Sequence, residues 1–450
     1  MSDTRKASKN GKKAPPRSRP ERPLIPELAA AIAILGGLSV VRLEGGLHLT
    51  PWYRALGAVF AGGLSLVLVR RASRWRPPEA RFWLGSVLAG ALLTVLGGAG
   101  SPYLVPWGVS TGLGALFFGN SFGIRVLLPL LAWGAVYLGM GPTVAGLMGG
   151  LLMAVAMPEV RRAREFMAVG ALAGVVVGTT ALLFLGDAGT VGVLAASLSG
   201  PAAILLIWSA LPLVERALDR TSPLTLVELL DPSHPLLEEL RREAPGTYYH
   251  SRNVSALAEA AARAIGANPL LAAVGGLYHD IGKLIRPDFF VENQEGPNPH
   301  DDLNPSLSKV ILAAHVKEGI ELARRHGLRG DVIHFIATHH GTSVMRYFSE
   351  RGAEQGLSPD EFRYASPLPD TKETAIVMLA DPLEAAARTR PREEIPELVE
   401  TMVEDRVRDG QLDRAPLTLA ELAKVKQAFV RVLQGMAHNR VRDYPMYQGQ

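Results

Sequence analysis

The order of apolar and polar residues divides this chain of 450 residues into two parts. A helix that crosses a membrane needs ~20 consecutive residues that are mostly apolar. Runs of this kind alternate with short polar segments in the first part, and they predict about eight membrane helices within residues 24–213. We place these helices at 24–43, 52–70, 82–100, 102–119, 123–139, 141–158, 166–186 and 189–213.

The apolar positions of the second part follow the 3.6-residue period of amphipathic helices. Val254, Leu257 and Ala258 begin one such stripe. Residues 214–243 are predicted to form a juxtamembrane linker with short helices, and residues 244–443 a soluble domain. Its further helices are predicted at 269–281, 305–326, 330–340, 372–388, 394–407 and 418–441, with long loops at 284–304 and 342–370. The expected fold class is all-α: a polytopic helical membrane domain followed by a cytosolic all-helical domain.

The distribution of charged residues along the chain predicts how the helices are oriented in the membrane. The net charge is +6 over residues 1–23, a basic tail, +4 over residues 24–215 and −6 over residues 216–450. Lys and Arg are retained on the cytoplasmic side of membranes, and the basic loops between predicted spans alternate with loops that carry little charge. The pattern predicts a multi-pass protein of the inner or plasma membrane, with both termini and the soluble domain cytoplasmic. The lipid bilayer is therefore an expected partner, and the pI of 9.2 reflects topology rather than binding to a nucleic acid polymer.

The predicted spans hold almost no ionisable residue apart from Glu27. Because transporters and pumps usually need charge inside the membrane, the transporter class is disfavoured. Glycines recur at four-residue spacing in two of the predicted spans, and this spacing is typical of close helix packing. The pairs are Gly146 and Gly150, Gly170 and Gly174, and Gly174 and Gly178.

The candidate chemistry lies in the second part. The chain has no Cys, so a metal site must use imidazole and carboxylate. Seven such side chains stand on or at the ends of predicted helices, flanked mostly by small or apolar residues. They are His250, His279, Asp280, His315, His339, His340 and Asp381. This ligand chemistry suits Fe, Mn, Zn or a similar first-row ion.

The two doublets have a spacing with physical meaning. Adjacent residues on a helix diverge by ~100°, so His279 and Asp280 cannot both point at one ion from the middle of a helix. At a helix end they can bracket two ions, with the Asp280 carboxylate as a bridge. Gly282 and Gly341 are the predicted helix ends after the doublets. Two ions ~3.5–4 Å apart activate water and neutralise phosphate charge in an in-line displacement.

The ordered set resembles the HD-domain metal-dependent phosphohydrolases, and more closely the bacterial membrane family of seven-transmembrane HD proteins. The characterised members of that family are cyclic di-AMP phosphodiesterases. The resembling segments are Ala244–Ser251, Tyr278–Lys283, Phe289–Gln294, Asn298–Asp301, Ala314–Val316, Thr338–Thr342, Ala380–Asp381, Glu404–Arg406 and Asp409–Asp413. The resemblance implies a membrane-anchored, metal-dependent phosphodiesterase that hydrolyses cyclic di-AMP to pApA.

The resemblance also implies roles for single residues. It places one divalent ion on His250, His279, Asp280 and Asp381. It places a second on Asp280, His315, His339 and His340. The ions it favours are Mn or Fe. Asp280 and Lys283 are the expected catalytic residues, Asp280 as the bridge and Lys283 near the substrate phosphate. Tyr249 stands where relatives often carry a second His, and we assign the ligand to His250.

Two departures from the family pattern leave alternatives open. Only about residues 44–51 join the first two predicted spans, where relatives carry a large extracellular domain. The Gly-Tyr-Pro signature of the cyclic di-GMP class is missing after His340, which disfavours that substrate. The alternatives are an HD phosphohydrolase of another nucleotide, such as cyclic di-GMP, and a non-catalytic nucleotide-binding membrane receptor. A homo-oligomer is also left open.

Overall fold

The computed structural model describes residues 77–104 and 106–438. The predicted tail 1–23 and the predicted spans 24–43 and 52–70 lie outside these residues. Within the described ranges the regular structure is helical, and the only β feature is a bridge between Val344 and Arg363. The all-α fold class is therefore confirmed.

Six α-helices form the apolar first part of the described chain. They are α1 (Pro77–Gly100), α2 (Trp107–Phe118), α3 (Asn120–Tyr137), α4 (Met140–Ala156), α5 (Ala163–Leu182) and α6 (Leu185–Leu218). Three helical segments among the described residues are long and apolar enough to cross a membrane, namely Met140–Glu159, Ala163–Leu182 and Ala188–Leu218. They correspond to the last three predicted spans. The predicted spans 102–119 and 123–139 fall on shorter apolar helices, and the total of eight stays a prediction.

Small residues bring α5 and α6 unusually close together. A Cβ added to Gly174 would lie 2.3 Å from the carbonyl oxygen of Ser197, and one added to Gly178 would lie 2.2 Å from the hydroxyl of the same serine. From the other side, a Cβ on Gly200 would lie 2.2 Å from the backbone nitrogen of Gly174. Only glycine allows this backbone approach, so the predicted packing role of the glycine spacing is confirmed here.

The second part consists of ten further α-helices within the described residues. They are α7 (Pro223–Leu229), α8 (Pro235–Glu243), α9 (Pro245–Ala264), α10 (Pro269–Tyr278), α11 (Pro305–Arg325), α12 (Gly330–Thr338), α13 (Arg346–Ala353), α14 (Lys372–Ala387), α15 (Ile395–Arg408) and α16 (Leu419–His438). The short helices predicted for the linker are α7 and α8. The other predicted helices are confirmed to within three residues at each end, except that the predicted end at residue 441 lies outside the described residues. Helix α13 was missed, because it lies inside the segment predicted as a long loop.

Helix α9 contributes to both apolar clusters of the second part of the chain. One apolar cluster joins its Val254, Leu257 and Ala261 to residues of α14, α15 and α16. A second cluster joins Tyr248 of α9 to α7, α8, α10 and α12. Because α9 packs on both clusters, it fixes the positions of α10 and α14. Asp381 lies in α14, and Asp280 lies just after the end of α10.

The end of α6 is tied to the start of α12. Asp219 ends α6 in the left-handed conformation (φ 51°), and its Oδ1 accepts a hydrogen bond from the backbone nitrogen of Gly330 at 2.8 Å. The backbone nitrogen and hydroxyl of Thr221 both donate to Asp331, at 2.8 and 2.7 Å. The long apolar helix is therefore bonded to the element whose other end precedes His339.

Candidate metal centre

Five elements bring the seven predicted side chains to one place. His250 lies in α9, His315 in α11 and Asp381 in α14. The doublet of His279 and Asp280 directly follows α10, and the doublet of His339 and His340 directly follows α12. The helix end predicted at Gly282 comes earlier, at Tyr278, and the chain continues in a 3₁₀ turn over Ile281–Ile285. Both doublets therefore stand just past the end of a helix, where the helical geometry no longer sets the angle between adjacent side chains.

The two oxygens of Asp280 face two different sets of side chains. Its Oδ2 lies 3.7 Å from Nε2 of His250 and 3.3 Å from Nε2 of His279. Its Oδ1 lies 3.5 Å from Nε2 of both His315 and His339. Asp280 therefore stands between the sets, in the arrangement of a bridging carboxylate.

The side chains form two groups of possible metal donors, each with its donor atoms within 4.8 Å of one another. The first group is His250, His279, Asp280 and Asp381, and the second is Asp280, His315, His339 and His340. Asp381 Oδ1 lies 3.1 Å from Nε2 of His250, and its Oδ2 lies 3.8 Å from Nδ1 of His340, so the second aspartate also reaches both groups.

Backbone carbonyls orient three of the imidazoles. The Nδ1–H groups of His279, His315 and His339 each donate to the carbonyl oxygen three residues earlier, at 2.8, 2.5 and 2.9 Å. Because Nδ1 carries the proton, the lone pair of Nε2 points into the cluster. Partners on the second ring nitrogen fix the tautomer and orientation of metal-binding histidines in this way.

The carboxylate of Glu384 orients the imidazole of His250 in the same way. This residue was not identified from the sequence. The Nδ1–H of His250 donates to Glu384 Oε2 at 2.6 Å. The carboxylate also accepts a hydrogen bond from Asn253 at 2.7 Å and pairs with Arg388 at 2.8 Å. Burial would raise the pKa of Glu384, but these contacts outweigh burial and lower the pKa to about 2. Its signal was its position three residues after Asp381, one helical turn further along α14.

The carboxylates determine which imidazoles of the first group are basic. Burial alone lowers the pKa of His250 and His279. For His250 the nearby Asp381 and Glu384 outweigh burial and raise the pKa. For His279 the nearby Asp280 and Asp381 raise the pKa to about 10. A cation that binds here therefore replaces protons, which makes binding depend on pH.

The second group is less basic. Burial lowers the pKa of His315 to about 4 and holds that of His340 well below its ordinary range. Burial would raise the pKa of Asp280, but Lys283 and the imidazoles outweigh it and keep it well below its usual value. Neutral imidazoles beside an ionised carboxylate are the protonation states that metal ligation requires.

The buried polar atoms of the cluster fit bound cations. Among the described residues, Nε2 of His279 and Oδ1 of Asp280 are buried without a hydrogen-bond partner. A buried polar group that lacks a partner costs ~1–3 kcal/mol, and more when it is charged. A divalent ion between the imidazoles and the carboxylates would satisfy both atoms, and the nitrogen and oxygen donors suit a first-row transition metal.

Lys283 lies at the edge of the cluster, held by two carboxylates. Its Nζ is 2.7 Å from Asp280 Oδ2 and 2.7 Å from Glu292 Oε1. Glu292 also accepts a hydrogen bond from the hydroxyl of Thr247 at 3.1 Å. Both carboxylates raise the pKa of Lys283 against the effect of burial. The lysine is therefore a fixed cation beside Asp280.

An aromatic cavity of about 520 Å³ adjoins the cluster. Its lining includes His315, His340 and Lys283, polar residues such as Gln294 and Asn298, and five aromatic side chains: Phe289, Phe290, Tyr347, Phe348 and Tyr364. The ring of Tyr364 is stacked on His340, with the centroids 4.0 Å apart and the planes at 22°. The cavity therefore combines aromatic surfaces with a few polar groups and has the size of a site for an aromatic ring.

The predicted choice between Tyr249 and His250 agrees with their positions. Tyr249 is 63% exposed, whereas His250 is 4% exposed and points into the cluster. Tyr364 was missed because it lies in the segment predicted as a long loop, with no periodic pattern to place it.

The part of the chain that contains the cluster is similar to known proteins. Residues 247–386 match the model of the HD domain family. The chain is 40% identical over 281 residues to "Cyclic-di-AMP phosphodiesterase PgpH" of Bacillus subtilis, which covers 61% of this chain and 38% of that protein. It is 41% identical over 258 residues to the protein of the same name from Listeria monocytogenes, with 56% and 36% covered. The chain thus spans less than half of the length of these curated relatives.

Two solved structures are similar in sequence to part of this chain. Crystal structures of the L. monocytogenes phosphodiesterase PgpH HD domain, alone and in complex with cyclic-di-AMP, are 40% identical to this chain. They cover 46% of this chain and 100% and 99% of their own chains, with a TM-score of 0.44 in both cases.

Proposed function

Because the chain belongs to the HD-domain family, we propose that it is a membrane-anchored, metal-dependent phosphodiesterase that hydrolyses cyclic di-AMP to pApA. The observation that carries the proposal is the pair of buried donor groups that share Asp280. The identity of 40% to proteins named cyclic-di-AMP phosphodiesterase supports the substrate. Metal dependence is a property of the family.

In this proposal the first donor group holds one ion and the second holds the other. The ions are Mn or Fe, because nitrogen and carboxylate ligands with open positions suit both. When bound, a pair of such ions supplies an activated water and positive charge for the non-bridging phosphate oxygens. Asp280 belongs to both donor groups and would contribute to holding both ions, and Asp381 would complete the first group.

The other residues orient and bind. The three backbone carbonyls and Glu384 hold the imidazoles in the tautomer that presents Nε2. Lys283 keeps Asp280 ionised and places a positive charge at the mouth of the cluster, where the scissile phosphate docks. The aromatic cavity takes one adenine, with Tyr364 as a stacking surface, since stacking on aromatic rings is worth ~1–3 kcal/mol per base.

The membrane part completes the proposal. Residues 24–213 form a multi-pass domain in the cell membrane, residues 214–443 comprise the linker and the cytoplasmic HD domain, and residues 1–23 are a cytoplasmic tail. The three long apolar helices support this arrangement. To test this arrangement, a protease-sensitive tag is placed at each terminus. Cleavage of both tags only after the cells are opened would agree with it, and cleavage of either tag in intact cells would contradict it.

The test of the activity uses the full chain in detergent, loaded with Mn²⁺. Hydrolysis of cyclic di-AMP and cyclic di-GMP is followed by chromatography, and we expect pApA from the first at a rate well above that of the second. Asp280→Asn should abolish turnover, while Asp302→Asn, an exposed aspartate outside the cluster, should leave it unchanged. A metal-loaded protein that is inert on cyclic di-AMP would contradict the substrate, and full activity of Asp280→Asn would contradict the site.

A further inference from the structure

The described residues also form a second cavity, of about 570 Å³. One of its lining residues is Pro382, which directly follows Asp381 in α14. The last turns of α15 form another part of the wall, through Met402, Asp405, Arg406 and other residues of this segment. Unlike the aromatic cavity, this one is lined mainly by charged side chains.

Almost every charge in this second cavity has a partner. Arg346 lies 2.7 Å from Asp405. Arg408 lies 3.3 Å from Asp405, and it also pairs with the glutamate one turn earlier in α15. Asp409 lies 2.8 Å from Arg363. These ion pairs neutralise one another, so they leave little net charge for a ligand.

Arg406 is the exception. Its guanidinium has no hydrogen bond and no ion pair to any residue in the described part of the chain, although its side chain is half-buried. Burial lowers its pKa, and the charge of Asp381 acts in the opposite direction. A guanidinium carries five N–H donors and no acceptor. Because no residue of the described chain occupies these donors, they are available to an anionic ligand in the cavity.

The position of Arg406 connects it to the substrate surface. Its charge acts on Tyr364 as well as on Asp381. Tyr364 stacks on His340 and lines the aromatic cavity. Arg406 also lines the same cavity as Pro382, the residue next to Asp381 of the metal cluster.

We propose that Arg406 binds the second phosphate of the substrate, the one that is not cleaved. This inference rests on the proposed function, since a cyclic dinucleotide carries two phosphodiesters and the metal cluster accounts for only one. Guanidinium binds phosphate through two parallel hydrogen bonds, which Lys cannot reproduce. Arg406 thereby makes the enzyme selective for substrates with a second phosphate over simple diesters.

The experiment compares two substrates in the full-length, Mn²⁺-loaded protein. Cyclic di-AMP has two phosphates and bis(p-nitrophenyl) phosphate has one. For Arg406→Gln we expect KM for cyclic di-AMP to rise about 10- to 100-fold, the range of a lost charged hydrogen bond. We expect kcat/KM for the simple diester to stay within about twofold, and Arg406→Lys to recover only part of the loss.

Arg263→Gln is the matched control, because it removes the same charge from an exposed and already paired arginine of α9 that does not line the cavity. It should leave both substrates unaffected. Bound metal is measured in every variant. If Arg406→Gln does not fold, the test uses Arg406→Lys, for which we expect a raised KM for cyclic di-AMP only.

Three outcomes would overturn the inference. An unchanged KM for cyclic di-AMP in Arg406→Gln would refute it directly. Equal losses on both substrates would show that Arg406 supports the metal centre instead. A wild-type protein that cleaves the simple diester but not cyclic di-AMP would refute the proposed function, and the role of Arg406 would fall with it.

Discussion

Glu384→Gln separates the two ions of the proposed centre. Glu384 is 3% exposed, and its carboxylate receives the Nδ1–H of His250 at 2.6 Å. Glutamine keeps the shape but removes the negative charge that polarises this imidazole. Loss of such a partner typically costs 10- to 100-fold in metal affinity, or ~1.4–2.7 kcal/mol. Because the second donor group does not contain His250, only the first ion should weaken.

The assay measures bound Mn²⁺ and activity at graded concentrations of free Mn²⁺, set by a chelator buffer. We expect one of the two binding steps of Glu384→Gln to shift by 10- to 100-fold, and activity to return at saturating metal. Glu373→Gln, which removes a charge from the first turn of the same helix, should bind like the wild type. Superimposable binding curves for Glu384→Gln and the wild type would refute the reasoning, and so would a loss of activity that saturating metal does not restore.

Two further predictions concern the framework around the site. Gly282→Ala would place a Cβ 1.9 Å from the carbonyl oxygen of His315. We expect this variant to lose ~1–3 kcal/mol or more in unfolding free energy, measured by denaturant titration. Gly296 lies in open space, so Gly296→Ala should change the unfolding free energy by less than ~0.5 kcal/mol. Equal stability of the two variants would contradict the packing. Asp331→Ala would leave both donors of Thr221 without their partner, and we expect a loss of ~1–3 kcal/mol, seen as a lower unfolding midpoint of the helical signal by circular dichroism. A midpoint equal to that of the wild type would show that this connection does not stabilise the fold.

Helix positions in the soluble domain could be read from the sequence because the apolar period is strong. Helix α11, predicted at 305–326, begins at Pro305 and ends at Arg325. Helix α13 was missed because a helix of eight residues is too short to show the period. Its place depends on packing by Phe348 against Phe362 in the same loop, which only the folded chain reveals.

The seven candidate ligands could be identified because imidazole and carboxylate at helix ends among apolar residues are unusual. The residues around them could not. Glu384 resembles any solvated glutamate on a helix until His250 is placed 2.6 Å away. Arg406 stands out only when the partners of the neighbouring charges are known, because an unpaired charge is defined by what surrounds it.

A metal titration measures whether the chain holds two ions at the shared Asp280. The chain is stripped with chelator, and Mn²⁺ is added back while bound metal and hydrolysis of cyclic di-AMP are measured together. We expect activity to saturate at two ions per chain and Asp280→Asn to bind neither ion tightly, because the carboxylate belongs to both donor groups. Saturation at a single ion, or turnover that survives complete removal of metal, would contradict this expectation.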